Sequence, residues 1–220
     1  MKDVFSMGEQ GFDERCIIIA PLYRGEEREW LTPRENDLLM CADAGWNAAV
    51  RHGLHPSLIV GDFDSMPEPD APDAEVIRLP VHKDDTDMVA CLQEGRKRGY
   101  RTFIMAGSLG GRFDHAISNL QCVCDCAARG EIAWMCDAQN RVTVLLPGAY
   151  RLPAMPGRKL SLLAFSSEVR GVNITGTEWP LMDATLTARW PLGCSNEFRA
   201  DCAELSFNDG ALLVAYCEDL

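Results

Sequence analysis

Three short segments of the chain gather acids, bases and glycines in patterns suited to phosphate chemistry. The first is Gly61-Asp62-Phe63-Asp64-Ser65. If the backbone stays extended through Phe63, Asp62 and Asp64 point to one side, because side chains repeat every second residue along a strand. Two like charges so placed repel each other unless a cation lies between them. Mg²⁺, which prefers oxygen ligands and keeps water for phosphates, suits that position. A polar turn accounts for the same residues equally well. The second segment is Lys83-Asp84-Asp85-Thr86-Asp87. Acids are favoured at a helix start by the macrodipole, but capping needs one of them, not three. Asp84 and Asp87, three apart, share a face of the first turn and can join Asp62 and Asp64 in an oxygen-rich metal site. Lys83 is placed to neutralise a phosphate or the neighbouring acids. The third runs from Gly107-Ser108-Leu109 through Gly110-Gly111-Arg112 to Phe113-Asp114-His115. Its glycines let backbone N–H groups approach phosphate oxygens, and Arg112 adds a planar fork. It fits neither the P-loop nor the dinucleotide fingerprint. His115 reads as a packing or hydrogen-bonding residue before a base.

The elements that must position these segments alternate. Arg15 to Ala20, Leu38 to Ala42, Leu58 to Val60, Ala74 to Leu79, Thr102 to Ala106 and Ile132 to Cys136 are short apolar runs that predict buried strands. Helical spacing predicts Trp46 to His52, Asp87 to Arg98 (with Thr86 or Asp85 as N-cap) and Phe113 to Arg129. Strands joined by helical crossovers imply an α/β domain with a largely parallel, Rossmann-like sheet. In such a sheet ligands bind beyond the carboxyl ends of the strands. Asp43, Asp62 and Asp64 sit there. After about Arg141 the rhythm changes to short strands at 142–146, 159–165, 169–174, 184–188, 197–207 and 211–216. Pro147-Gly148, Pro156-Gly157 and Asn208-Asp209-Gly210 separate them. This predicts an all-β sandwich. The expected domains are therefore 1–140, α/β, and 141–220, all-β.

Composition narrows the ligand. The chain of 220 residues carries 33 acids against 21 Lys and Arg, a formal charge of −12. Such a balance argues against a nucleic-acid partner, whose phosphates need a basic surface, but leaves small phosphorylated ligands open through a divalent cation. No apolar run approaches the ~20 residues that span a bilayer. The mixed, acidic N-terminus and ten cysteines favour a reducing cytoplasm over secretion. Cys122, Cys124 and Cys126 fall on a predicted helix whose apolar face runs Ile117, Leu120, Cys124 and Ala128. That places Cys124 inward and the other two elsewhere, so the three thiols cannot share a metal.

Taken in order on an α/β domain, Gly-Asp-Phe-Asp-Ser, Asp-Asp-Thr-Asp and Gly-Gly-Arg-Phe-Asp-His resemble thiamine pyrophosphokinases. The resemblance extends to Cys41-Ala42-Asp43-Ala44-Gly45, to Gly176-Thr177-Glu178-Trp179-Pro180-Leu181 and to Gly193-Cys194-Ser195-Asn196-Glu197, and so spans about residues 15 to 215. It departs at Ala44, where glycine is common, and at Cys194, where leucine is usual. The resemblance implies transfer of the terminal diphosphate of ATP to the hydroxyl of thiamine, with Mg²⁺, by a homodimer holding thiamine at its interface. Asp43, Asp62, Asp64, Asp84, Asp87, Arg112 and Asp114 match positions around ATP and metal, with Lys83, Thr86 and Ser108 beside them. Trp179, Ser195 and Asn196 match positions near thiamine. Physical roles follow. Asp62, Asp64, Asp84 and Asp87 are the expected metal ligands, Arg112 and Lys83 orient phosphates, and Asp64 or Asp87 takes the hydroxyl proton. Trp179 offers an aromatic face to a cation, and ordinary core packing accounts for it equally well.

Two other readings compete. In a phosphohydrolase Asp62 would be the nucleophile of an Asp-x-Asp motif. That motif usually lies on the first strand, and no later acidic loop completes it. A non-catalytic sensor of thiamine or nucleotide would be expected to have lost carboxylates that are all present here.

Overall fold

The computed structural model describes residues 1–4, 14–25, 34–64, 71–80 and 85–219. The chain divides into two compact units, one of 12–122 and 131–138, the other of 1–11, 123–130 and 139–220. Strand β1 (Lys2–Asp3) belongs to the second. The first unit holds β2 (Arg15–Ile19), β3 (Leu38–Ala42), β4 (Leu58–Gly61), β5 (Glu75–Arg78), β6 (Thr102–Ala106) and β7 (Ile132–Cys136). They lie in the order β7-β6-β2-β3-β4-β5, and every neighbouring pair is parallel. Cys16, Ile17, Ile18 and Ile19 are all buried, the continuous apolar run that a strand covered on both faces requires. The chain winds outward from β2 to β5, then returns to β6 on the other side of β2. The winding direction reverses between β2 and β6, the place where open α/β sheets bind ligands.

Helices α1 (Gly45–Arg51), α2 (Asp87–Lys97) and α3 (Phe113–Ala128) connect the strands within a residue of the ranges that periodicity predicts. The first packs on β2 and β3, the second on β3 and β4. Met88, Cys91, Leu92 and Gly95 form the buried face of α2, and Arg96 and Lys97 in its last turn suit the negative end of the helix dipole. In α3 the expected inward face is wrong. Cys122, Val123 and Cys126 are buried, Cys124 is half-buried, and Ile117 is exposed. Cysteine and alanine give two nearly equal apolar stripes, so spacing does not choose between them. The rotation is set instead by Asn119, whose Nδ2 donates to the Ser108 carbonyl at 3.0 Å and shares the face of residues 122, 123 and 126. All ten cysteines lie among the described residues and none is in a disulfide.

The second unit is built of β8 (Asn140–Leu145), β9 (Gly148–Pro153), β10 (Lys159–Ala164), β11 (Glu168–Thr175), β12 (Leu181–Thr187), β13 (Gly193–Asn196), β14 (Cys202–Phe207) and β15 (Leu212–Cys217). One sheet runs β1-β9-β14-β11-β12; in the other β13, β10, β15 and β8 follow in order. Pairing is antiparallel except for β1 on β9. Besides β1, two strands were not expected from sequence. In β9 only Tyr150 and Leu152 turn inward, and β13, with Gly-Cys-Ser-Asn, has no strong strand former; both exist because a neighbour pairs with them. The expected strand at 197–207 begins only at Cys202. The first residues, placed by sequence in the α/β domain, lie on the all-β unit, where β1 pairs with β9 and Val4 is buried.

Where the winding reverses, the Ala20 N–H donates to the Ala106 carbonyl at 2.8 Å, and the chain after β2 crosses directly over Gly107. Gly107 has φ +70, and a Cβ there would lie 2.2 Å from the Tyr23 nitrogen. Gly107→Ala is expected to lose about 3 kcal/mol of stability through left-handed strain and backbone displacement, read as a lower midpoint in chemical denaturation.

Candidate active site

Because β2, β3, β4 and β6 are parallel, their carboxyl ends share one edge, and Asp43, Asp62 and Gly107 follow β3, β4 and β6 there. Asp43 takes φ 43 and donates its N–H to the Val60 carbonyl at 2.8 Å. Its side chain lies against the last residue of β4: a Cβ on Gly61 would sit 3.0 Å from Asp43 Oδ1. Only a glycine lets the two strand ends approach so closely. Asp43 is thereby brought beside Asp62, the next residue of the chain.

The segment from Asp62 to Asp64 is not extended. Phe63 takes φ 55, and the Asp64 N–H donates to Asp62 Oδ1 at 3.2 Å. The every-second-residue argument for the two carboxylates therefore does not hold. The turn has a cause: it buries the Phe63 ring, which the Arg78 guanidinium covers at 5.9 Å from the centroid. Asp62 is half-buried and Asp64 exposed.

Lys83 and Asp84 lie outside the described residues. Thr86 is the N-cap of α2, its Oγ1 accepting the Val89 N–H at 3.3 Å, while Asp85 accepts from the Gln93 amide at 3.2 Å. Asp87 is half-buried in the first turn, one turn before Cys91, whose thiol donates to the Cys41 carbonyl near the carboxyl end of β3. Among the described residues no three acids, histidines or cysteines stand close enough to hold an ion by themselves. A donor set made of carboxylates still suits Mg²⁺, which is held by one or two protein carboxylates together with water and phosphate oxygens, not by an all-protein cage.

In the glycine-rich segment the Ser108 side chain faces inward: its buried hydroxyl donates to the Met105 carbonyl at 2.7 Å. Ser108 can thus offer a ligand its main chain. Arg112 and Asp114 form an exposed two-bond pair, at 3.1 and 2.7 Å, and Asp114 also accepts the His115 N–H at 2.9 Å. The Arg112 hydrogen bond, with help from that N–H, holds the Asp114 carboxyl down to about 2. His115 is exposed.

In the all-β unit Trp179 is 57% exposed, an indole presented to solvent and not a core residue. Ser195, at φ 59, donates its N–H to Ser161 Oγ at 3.0 Å, and its own hydroxyl lies 3.6 Å from Cys194 Sγ. Asn196 is buried, with its amide hydrogen-bonded to the main chain of Trp179. A groove of about 790 Å³ beside it is lined by residues including Arg158, Lys159, Glu197 and Arg199. Those cations are matched by Glu218, Glu197 and Glu178, so the groove has little net attraction for an anion.

Sequence reasoning missed Asn119, Ser161 and the Phe63–Arg78 contact. Asn119 carried a signal, since asparagine is a poor helix-interior residue unless its amide has a task. The other two depend on pairings between distant segments.

Residues 31–135 match the family model described as the thiamin pyrophosphokinase catalytic domain, and residues 150–212 the model of its vitamin B1 binding domain. The chain belongs to the thiamin pyrophosphokinase family. A thiamine pyrophosphokinase from Bacillus subtilis is 26% identical over 191 residues, covering 84% of this chain and 89% of that protein. The crystal structure from B. subtilis superposes with a TM-score of 0.84 at 25% identity, over 94% of this chain and all of the other. That from Geobacillus thermodenitrificans gives 0.80 at 27%, over 94% of this chain and 97% of its own. The Candida albicans enzyme shares the fold at 14% identity, with a TM-score of 0.78. Asp43, Asp62, Asp64, Asp84, Asp87, Arg112 and Asp114 fall within the match to the thiamin pyrophosphokinase catalytic domain, and Trp179, Ser195 and Asn196 within the other.

Asn119 holds the carbonyl of the glycine-rich turn with one donor. Asn119→Asp, which sets an acceptor against that carbonyl, is expected to raise the KM for ATP roughly 10-fold with little change in the KM for thiamine, measured by steady-state kinetics.

Proposed function

We infer that the chain is a thiamine diphosphokinase. The thiamine hydroxyl oxygen attacks the β-phosphorus of ATP, the bond from that phosphorus to the α-phosphate oxygen breaks, AMP departs and the hydroxyl proton passes to a base. The observation that carries this reading is the pair of family matches, catalytic then B1-binding, the first of them covering a parallel sheet whose carboxyl ends carry Asp43, Asp62 and the glycine-rich turn.

In our assignment Asp62, Asp64 and Asp87, with Asp84, hold Mg²⁺, and Asp43 lies beside Asp62 at the sheet edge. When bound, the cation neutralises the β- and γ-phosphate oxygens and the charge developing on AMP. Arg112 and Lys83 orient the phosphates. Arg112 is preset by Asp114, which holds its planar fork in place. Thr86 serves by fixing the start of α2, and Ser108 by the main chain of its turn. Asp64 or Asp87 accepts the hydroxyl proton, and of the two Asp64 is the more exposed and the better placed to reach a substrate. Thiamine, a cation with two rings, lies on Trp179, with Ser195 and Asn196 shaping the surroundings.

We propose that the working enzyme is a homodimer. Met182, on the edge strand β12, is 86% exposed, and the flanking turns expose Trp179 at 57%, Trp190 at 71% and Leu192 at 54%. Large apolar groups concentrated on and beside a sheet edge call for a cover, and a second copy of the chain supplies it. We place the enzyme in the cytoplasm, a setting that suits ten cysteines without a disulfide. Among the described residues no helix is long and apolar enough to cross a membrane.

Incubation with ATP, Mg²⁺ and thiamine is expected to yield AMP and thiamine diphosphate in equal amounts; ADP, or phosphate release independent of thiamine, would overturn the reading. Asp62→Asn should lower turnover by about 100-fold or more with an unchanged circular dichroism spectrum. Met182→Lys with Trp190→Asp is expected to halve the mass seen by light scattering. An unchanged mass would show that this edge is not the dimer contact.

A further inference from the structure

We propose that Asn196 is a positioning residue: it fixes the main chain of Trp179 and serves thiamine through that tryptophan, without touching the substrate. The proposal rests on the reading of Trp179 as the face that thiamine occupies. Asn196 is only 7% exposed. Its Oδ1 accepts the Trp179 N–H at 3.1 Å and the Glu197 N–H at 2.9 Å, and its Nδ2 donates to the Trp179 carbonyl at 2.8 Å. Both acceptor sites of the amide are filled and one of its two donors is used, so it retains little to offer a ligand.

The neighbouring contacts all point the same way. The Glu178 N–H donates to the Glu197 carbonyl and the Arg199 N–H to the Gly176 carbonyl, each at 2.9 Å, and Glu178 pairs with Arg199. Thr177 Oγ1 donates to the Trp179 carbonyl at 3.4 Å. Residues 176–179 are thus bound to 196–199 along their length, and Trp179 is held on both its N–H and its carbonyl while its indole stands exposed. Such an arrangement settles the backbone of a binding residue before the ligand arrives, which lowers the ordering cost of binding. The side chain must be asparagine. Aspartate would set a charge against the Trp179 carbonyl and lose the donor, glutamine is one methylene too long, and serine, with a single short hydroxyl, does not span the Trp179 N–H and carbonyl.

A double-mutant cycle at Asn196 and Trp179 tests this, read by the KM for thiamine, the KM for ATP and kcat. Asn196→Ala is expected to raise the KM for thiamine roughly 10-fold, with kcat and the KM for ATP within about 2-fold of the parent. Trp179→Ala should raise the KM for thiamine by itself, and adding Asn196→Ala to it should change nothing further. Asn196→Asp, which keeps the shape and both accepted bonds, should give a rise in the same constant, and it carries the test if the alanine variant does not fold. A further rise in the double variant would mean that Asn196 meets thiamine directly and would overturn the proposal, as would an unchanged KM in both Asn196 variants. An unchanged KM in Trp179→Ala alone would instead overturn the placing of thiamine on that indole, and the positioning role with it.

Discussion

Parallel pairing of β2, β3, β4 and β6 is the constraint from which the α/β unit's chemistry follows. It brings every carboxyl end to one edge, and therefore brings Asp43 and Asp62, nineteen residues apart in the chain, to adjacent strand ends. The approach is closer than neighbouring strands alone would give, because Gly61 has no side chain to hold Asp43 away. On the proposed reading, Mg²⁺ and a cationic substrate are drawn to the acids that these strand ends present.

In each unit, polar side chains are engaged with the backbone. Thr86 caps α2, Ser108 turns its hydroxyl to Met105, Asn119 holds the Ser108 carbonyl, and Asn196 holds both the N–H and the carbonyl of Trp179. Each fixes a loop whose main chain or exposed side chain faces outward. The two units use one physical device: a polar side chain satisfied by a nearby main-chain group ties a loop to the element beside it. Asp114 does the same for an exposed group, holding the Arg112 guanidinium in a fixed plane.

The acid excess can be followed into the fold only in part. Asp43, Asp62, Asp64 and Asp87 stand at one sheet edge, whereas Glu131, Asp37, Glu94 and Glu75 are matched by arginines elsewhere. These acids account for only part of the net charge of −12, and the rest of the excess is carried elsewhere on the chain. The Arg96–Glu131 pair also covers Phe103, with the guanidinium 5.7 Å from the ring centroid, so part of that compensation seals the core.

The strands and helices of the α/β unit were legible in the sequence because continuous apolar runs and 3.6-residue spacing are local signals. The same holds for the motifs at strand ends, whose order carried the family resemblance. What remained hidden was decided between distant segments. The turn at Phe63 exists because its ring finds Arg78, and the rotation of α3 follows from Asn119 reaching Ser108. Strand β13, with no intrinsic preference for extension, forms because β10 pairs with it, and β1 because β9 does. The sequence by itself determined which residues lie at the loops beyond the strands, since strand ends are written in local patterning. Only the tertiary structure decided which of those side chains face outward and which are bound to a neighbouring peptide, because hydrogen-bond partners are chosen by proximity in space and not along the chain.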